Sequence, residues 1–109
     1  MPNTKMHFDA DVDNSDQTVS DTKTWLHGFH VYNNNSSASY LQLFDNTGPT
    51  VGTTTPNMSF GVAANSSITV DFAESQEFNN GLHYAGTTAA ASAGDPTNGL
   101  SLSLRYRSI

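Results

Sequence analysis

The sequence contains no cysteine, which excludes disulfide bonds, cysteine nucleophiles and thiolate metal sites. Basic residues are also scarce: four Lys and Arg stand against ten Asp and Glu, for a net charge of −6. Recognition of nucleic-acid phosphates needs a basic patch, and anionic membrane surfaces attract the same kind of patch. No segment approaches the roughly 18 apolar residues of a membrane span. We therefore predict neither a nucleic-acid partner nor a membrane partner.

The sequence also lacks the pattern of an amphipathic helix. Charged residues make up only 13% of the chain, whereas Asn, Ser and Thr together account for 37 of its 109 residues. Threonine suits a pleated strand, and asparagine and serine suit turns. A chain of this length is normally one domain. The composition therefore favours a single domain built from strands and turns.

Alternation of apolar and polar residues predicts six or seven short strands. In the first clear strand the alternation divides the side chains between two faces: Trp25, His27, Phe29 and Val31 on one, and Leu26, His30 and Tyr32 on the other. Two later alternating runs flank Ala64-Asn65-Ser66 and predict a hairpin over residues 58–72. We expect an all-β fold, a single antiparallel β-sandwich or jelly-roll-like domain over residues 24–109.

Residues 1–23 are polar and include five aspartates. We expect an extended acidic N-terminal arm here, with at most one short strand near residues 6–10. Asp9, Asp11 and Asp13 have the spacing of the first ligands of a calcium loop, but position six is Asn14 and position twelve is Ser20. A solvated acidic arm is the preferred interpretation.

The histidines do not form a metal motif. His27 and His30 are three residues apart, so on a regular strand they point to opposite faces. A site formed by His27 and His83 from different strands is the alternative that the sequence leaves open. We predict no metal and no cofactor.

An enzyme is the least favoured class. The best acid–base candidates for a hydrolase are Asp71, Glu74 and Glu77, but Asp71 lies in a strand and the two glutamates lie in a predicted polar loop. No phosphate loop, zinc helix motif or Ser-His-Asp order accompanies them. We predict no catalytic residues.

The connection after the strand Ser39–Phe44 is unusual because residues 46–56 carry no charge and are rich in Thr, Gly and Pro. Such a segment can be buried against another subunit without desolvating a charge. We predict subunit or particle contacts in this segment, at Thr50, Val51, Thr53 and Thr54. An ordinary surface loop is the alternative.

Four strings in the centre of the chain resemble a known group of proteins. They are Tyr40-Leu41-x-Leu43-Phe44-Asp45, Pro49-Thr50-Val51-Gly52-Thr53-x-Thr55-Pro56, Val70-Asp71-Phe72 and Gly81-Leu82-x-Tyr84-Ala85. In order and content they resemble the small virion proteins of tailed bacteriophages, over roughly residues 25–107. This sequence differs from that group in its acidic N-terminal segment and in Gln42 and Asn46, which replace typical basic residues.

The resemblance implies a β-sandwich structural protein of the virion, such as a capsid cement or decoration protein on the outer particle surface. Its partners would be the major capsid protein or other virion proteins, reached through Asp9, Asp11 and Asp13 of the arm. A homo-oligomer, most simply a trimer on a three-fold position of the capsid, would supplement the small core. The alternative is a receptor- or glycan-binding module of a head or tail fibre, with Trp25 and Tyr32 stacking on sugars.

Overall fold

A computed structural model of the chain describes residues 4–109. Eight strands make up the described fold, and no helix occurs there, so none could cross a membrane. The strands are β1 (Lys5–Val12), β2 (Gln17–Ser20), β3 (Thr24–Asn33), β4 (Ser39–Phe44), β5 (Met58–Val62), β6 (Ser66–Phe78), β7 (Leu82–Thr87) and β8 (Leu100–Ser108). The all-β prediction is confirmed.

The strands form two four-stranded antiparallel sheets that pack face to face. The first sheet has the order β1-β8-β3-β6, and the second has the order β2-β7-β4-β5. The pairs β1·β8, β2·β7, β3·β6 and β4·β5 are nested within one another along the chain. The chain is therefore a long antiparallel ribbon rolled into a sandwich, which is the winding of a jelly roll.

Alternation along the strands fills the space between the sheets. In β8, Leu100, Leu102 and Leu104 are fully buried, whereas Ser101 and Ser103 between them reach the outer surface. Full burial of such a side chain contributes roughly 1.5–3 kcal/mol relative to leaving it exposed. The other members of the core come from both sheets: Val12, Leu26, Phe29, Val31, Leu41, Leu43, Val62, Phe78, Leu82 and Tyr84.

A β-bulge in β3 changes which side chains face the core. The pairing of β3 with β8 shifts register between Leu26 and Gly28, and His27 is the extra residue there. The pairing of β3 with β6 shifts at the same place, but there the extra residues are 72–75 of β6. Leu26 and Phe29 are consequently both buried, while Trp25 lies on the outer face. The predicted grouping of Trp25 and His27 with Phe29 is wrong, because strict alternation does not hold across a bulge.

The predicted hairpin over residues 58–72 is also wrong. A turn does occur there, with Asn65 in the left-handed conformation at a φ of 50°. However, β5 pairs with β4 in the second sheet, and β6 pairs with β3 in the first. The turn therefore carries the chain from one sheet to the other, because both strands have an apolar face that must be buried between the sheets.

The division of the chain at residue 23 needs correction, because residues 5–20 belong to the sandwich. β1 pairs with β8 along the edge of the first sheet, and β2 pairs with β7 along the edge of the second. Val12 has no exposed surface and packs in the core. The segment is extended, as predicted, but it is no separate arm; residues 1–3 lie outside the described part of the chain.

Substitution of Val12 by alanine tests this placement. We expect Val12→Ala to lower the free energy of unfolding by about 1–3 kcal/mol, because it removes buried methyl groups and leaves a cavity. The exposed Ala10 on the same strand provides the control, since Ala10→Ser should change the stability by less than about 0.5 kcal/mol. Urea unfolding followed by fluorescence measures both. Equal stability of the Val12→Ala variant and the unmodified protein would restore the separate arm.

Candidate functional site

The outer face of the first sheet carries exposed apolar side chains. Met6 and Phe8 on β1 are 66% and 67% exposed, and Tyr32 on β3 is 39% exposed. Met6 pairs with Arg105 and Phe8 pairs with Ser103, and paired residues of adjacent strands share a face. The two side chains therefore stand side by side on the outer surface of the sandwich.

A depression lies beside Met6, and the ion pair that borders it crosses over Gly28. Gly28 pairs with Arg105 on one side and with Asp71 on the other, and these two side chains form an ion pair across it. A Cβ atom at position 28 would lie 2.6 Å from the carbonyl oxygen of Val70, so only glycine fits beneath the ion pair. The depression beside this ion pair, named here the Gly28 hollow, has a volume of about 390 Å³ and is also bordered by His30.

Trp25 occupies the end of this face, where it is held by charged neighbours. The guanidinium carbon of Arg107 lies 4.5 Å from the centre of the indole ring, and Lys23 Nζ lies 5.2 Å from it. The indole N–H donates a hydrogen bond of 3.3 Å to Glu77. Tyr32 lies seven residues away along β3, roughly 20 Å distant. The two aromatic rings predicted to stack on sugars therefore do not form one site, and cations already cover the ring of Trp25.

The outer face of the second sheet is covered by the chain's own connections. The buried amide of Gln42 on β4 donates hydrogen bonds of 2.7 Å to the Thr87 hydroxyl and 3.0 Å to the Ser92 carbonyl oxygen. The connection between β4 and β5 packs here too, since a Cβ atom at Gly52 would lie 2.7 Å from that of Ala93. Ser59 also donates to the carbonyl oxygen of Ala90. Residues 46–56 and 88–94 of these two connections carry no charge, which suits this packing of neutral chain on neutral chain.

The four residues predicted to make contacts in the β4–β5 connection lie in one closed turn. The amides of Thr53 and Thr54 donate to the carbonyl oxygen of Thr50 at 3.0 and 2.8 Å, and the Thr54 hydroxyl accepts from the Thr50 amide at 2.9 Å. Thr50 and Thr53 are exposed, whereas Val51 and Thr54 are half-buried. The turn is therefore ordered by its own hydrogen bonds, and the prediction that it contacts a partner stays a prediction.

Tyr84 links the two sheets near β1. Its hydroxyl donates to Asp9 at 2.7 Å and lies 2.7 Å from His7 Nε2, which must then supply the second proton. Burial, followed by the nearby Asp9 carboxylate, raises the pKa of Tyr84, so the hydroxyl remains protonated. Asp9 is consequently committed to an internal bond, whereas Asp11 remains exposed. Asp13 accepts from the Ser15 amide.

A second polar cluster, the His83 clasp, consists of His83, Asp16 and Asp21. The His83 side chain is only 3% exposed, and its Nδ1 and Nε2 atoms lie 2.7 and 2.6 Å from carboxylate oxygens of Asp16 and Asp21. These aspartates flank β2, so the clasp fastens both ends of that short strand to β7. Because both ring nitrogens face carboxylates, the doubly protonated imidazolium fits the site best.

Burial of His83 lowers its pKa, but the hydrogen bonds and charges of Asp21 and Asp16 outweigh burial and raise the pKa above 6.5. With both nitrogens engaged, His83 has no free lone pair for a metal shared with His27. No group of three or more His, Cys, Asp or Glu side chains among residues 4–109 is arranged to hold a metal ion.

The three carboxylates considered for a hydrolase are distributed along β6. Asp71 pairs with Arg105, and Glu77 contacts Lys23 and Trp25. Glu74 is exposed, with its carbonyl oxygen accepting from the Gln76 side chain. Two of the three are thus engaged with neighbouring basic residues.

Sequence reasoning missed the exposed pair Met6 and Phe8 and the His83 clasp. The alternation of Met6, Phe8, Ala10 and Val12 indicated a full strand. It did not indicate that the large side chains of Met6 and Phe8 face solvent while Val12 faces the core. The clasp joins residues more than 60 positions apart, and no local pattern indicates such a pairing.

No family model matches the chain, and no curated protein or solved structure matches it either.

The His83 clasp predicts a loss of stability with rising pH. The folded-state pKa is raised above 6.5, so the stabilisation is fully present below that pH and is lost as the pH rises through the folded value. We expect His83→Gln to lower the free energy of unfolding by about 1.5–3 kcal/mol under mildly acidic conditions and by less at alkaline pH. Urea unfolding across that pH range measures the difference.

The exposed His30, whose Nδ1 lies 2.8 Å from the Thr69 hydroxyl, supplies the matched control, and His30→Gln should preserve the pH dependence. If His83→Gln has the same pH profile as the unmodified protein, the clasp does not hold a charged histidine.

Proposed function

We propose that the chain is a structural protein of a tailed-bacteriophage virion, a cement or decoration protein that docks on the outer particle surface and stabilises it. Two independent considerations support the proposal. One is the resemblance of residues 25–107 to small phage virion proteins. The other is the outer face of the first sheet, which has the composition of a protein-docking surface.

The exposure of Met6 and Phe8 beside the Gly28 hollow is the observation that carries the proposal. Methionine, aromatic residues and arginine are enriched at protein interfaces, and this face presents all three kinds. Two charged pairs on this face are already formed within the chain, Arg105 with Asp71 and Lys23 with Glu77, and Arg107 lies over the ring of Trp25. Docking of an apolar surface here therefore leaves few charges without a partner.

The jelly-roll fold is compatible with this role but does not decide it. Jelly rolls occur in viral capsid domains and also in lectin domains, and a fold by itself does not specify a function. The major capsid protein is the proposed partner, because a cement protein must bridge neighbouring copies of the shell protein to stabilise the particle. Each bridge stabilises the assembled shell, because a ligand that binds only the assembled state shifts the equilibrium away from separated subunits.

Substitution of the two exposed residues tests the docking surface. Met6→Ser together with Phe8→Ser should weaken binding to particles stripped of the chain by at least about tenfold, because apolar anchors dominate interface energies. Co-sedimentation of the purified variant with stripped particles measures the binding. Ile109→Ser changes another highly exposed apolar residue and is the matched control, which should bind like the unmodified protein.

Undiminished binding of the double variant would remove this face from the contact. Absence of the chain from purified virus particles of its source would reject the virion assignment itself.

The proposal includes self-association as a trimer, because three equivalent contacts match a three-fold position in a capsid lattice. We expect sedimentation velocity at micromolar concentration to give the mass of three chains of 11.7 kDa. A monomer throughout that concentration range would confine any trimer to the particle surface.

A further inference from the structure

A polar pocket lies at one end of the sandwich, where three connections meet. These are residues 34–38 between β3 and β4, residues 63–65 between β5 and β6, and residues 88–99 between β7 and β8. The pocket has a volume of about 290 Å³. Its lining consists of four asparagines, three serines, two threonines and one proline, with no charged side chain.

Asn35 fixes the shape of the pocket. Its side chain is nearly buried, donates to Asn33 Oδ1 at 2.7 Å and to the Asn98 carbonyl oxygen at 2.9 Å, and accepts from the Asn98 amide at 2.7 Å. Its carbonyl oxygen accepts from the Asn65 amide at 3.0 Å. One residue thus ties all three connections together. A ligand that enters the pocket therefore finds it largely preformed and loses little free energy in ordering it.

Other polar groups at the pocket remain available. The side chains of Asn34, Ser37, Asn65 and Thr97 are exposed and make no hydrogen bond to residues 4–109. Amides and hydroxyls both donate and accept, so this set matches a ligand with several neighbouring hydroxyl groups. Phosphates, carboxylates and metal ions lack a complementary charge here.

We infer that this pocket binds a neutral, polyhydroxylated ligand, namely a single uncharged sugar residue. Its volume lies near the lower limit of small-molecule sites, roughly 300–1,000 Å³, which suits one sugar ring rather than a long oligosaccharide. The pocket is lined by other residues than the Gly28 hollow and opens at the end of the sandwich. The inference therefore does not depend on the proposed docking of the first sheet.

The site has no aromatic platform, so its contacts with the sugar are mainly hydrogen bonds. Each such bond contributes little net of its exchange with water, which predicts a Kd on the order of millimolar for one sugar. An oligomer that presents several pockets to one glycan-coated surface would bind it more tightly through multivalency.

Nuclear magnetic resonance titration of the full chain tests the inference. The probes are glucose, galactose, mannose and N-acetylglucosamine, each as the free sugar and as the methyl glycoside, with glycerol as the simple polyol. We expect at least one sugar to give saturable amide shifts confined to residues 34–37, 65 and 97–98. Equal binding of the glycoside and the free sugar indicates a glycan end, whereas preference for the free sugar indicates a soluble ligand.

Asn34→Ala together with Thr97→Ala should weaken the binding about tenfold, because two hydrogen-bonding side chains are lost. Asn80→Ala removes an exposed asparagine outside this pocket and should leave the binding unchanged. Absence of saturable shifts with every sugar, or equal shifts with glycerol, would overturn the inference. Unchanged binding by the double variant would do so as well.

Discussion

Pairing of the first strand with the last is the constraint on which the rest of the structure depends. Lys5 lies opposite Tyr106, and each inner pair of strands is enclosed by the next pair outward along the ribbon. The ribbon has to roll because its strands present apolar side chains on one face, and only two layers can bury them. The connections consequently cross between sheets at the ends of the sandwich, which is where the pocket forms.

The rolled ribbon treats its two outer faces differently. The connections before β5 and after β7 fold back over the second sheet, where Gln42 donates to the Ser92 carbonyl oxygen and Gly52 packs against Ala93. Within residues 4–109, no comparable cover lies over the exposed Met6 and Phe8 of the first sheet. This difference between the two faces explains why residues 46–56 carry no charge, because a segment packed on its own sheet would have to desolvate any charge it carried.

The alternation of apolar and polar residues correctly predicted those elements whose pattern is set by their own residues and not by a distant strand. Leu100, Leu102 and Leu104 alternate strictly because β8 is regular and central, and the Asn65 turn was visible because asparagine tolerates a left-handed backbone. Predictions from the sequence pattern were wrong or missing where pairing with a residue distant in the sequence decides the structure. The bulge at His27, the assignment of β5 and β6 to different sheets, and the partners of His83 all depend on pairing across the fold.

The prediction of a separate N-terminal arm was wrong for a related reason. Its inward residues His7 and Asp9 are polar because β1 lies at the edge of the sandwich, where they reach the Tyr84 hydroxyl rather than an apolar neighbour. A strand with polar residues inside and apolar residues outside reverses the usual signal, so its composition resembled that of a solvated arm. The candidate surfaces could not be predicted for the same reason, because Met6 and the lining of the pocket form surfaces only together with residues that are distant in the sequence.

The edge strands of the two sheets have a further consequence for how copies of the protein meet. An open sheet edge is a template for another strand, and uncontrolled addition leads to fibres. Here β2 is only four residues long, β1 is irregular after Asp9, and β6 carries Asp71, Glu74 and Glu77. Short length, irregular register and charge are the devices that discourage edge-to-edge growth. Three of the four edge strands are thus guarded against pairing with a strand of another copy, whereas the fourth, β5, carries no charged side chain.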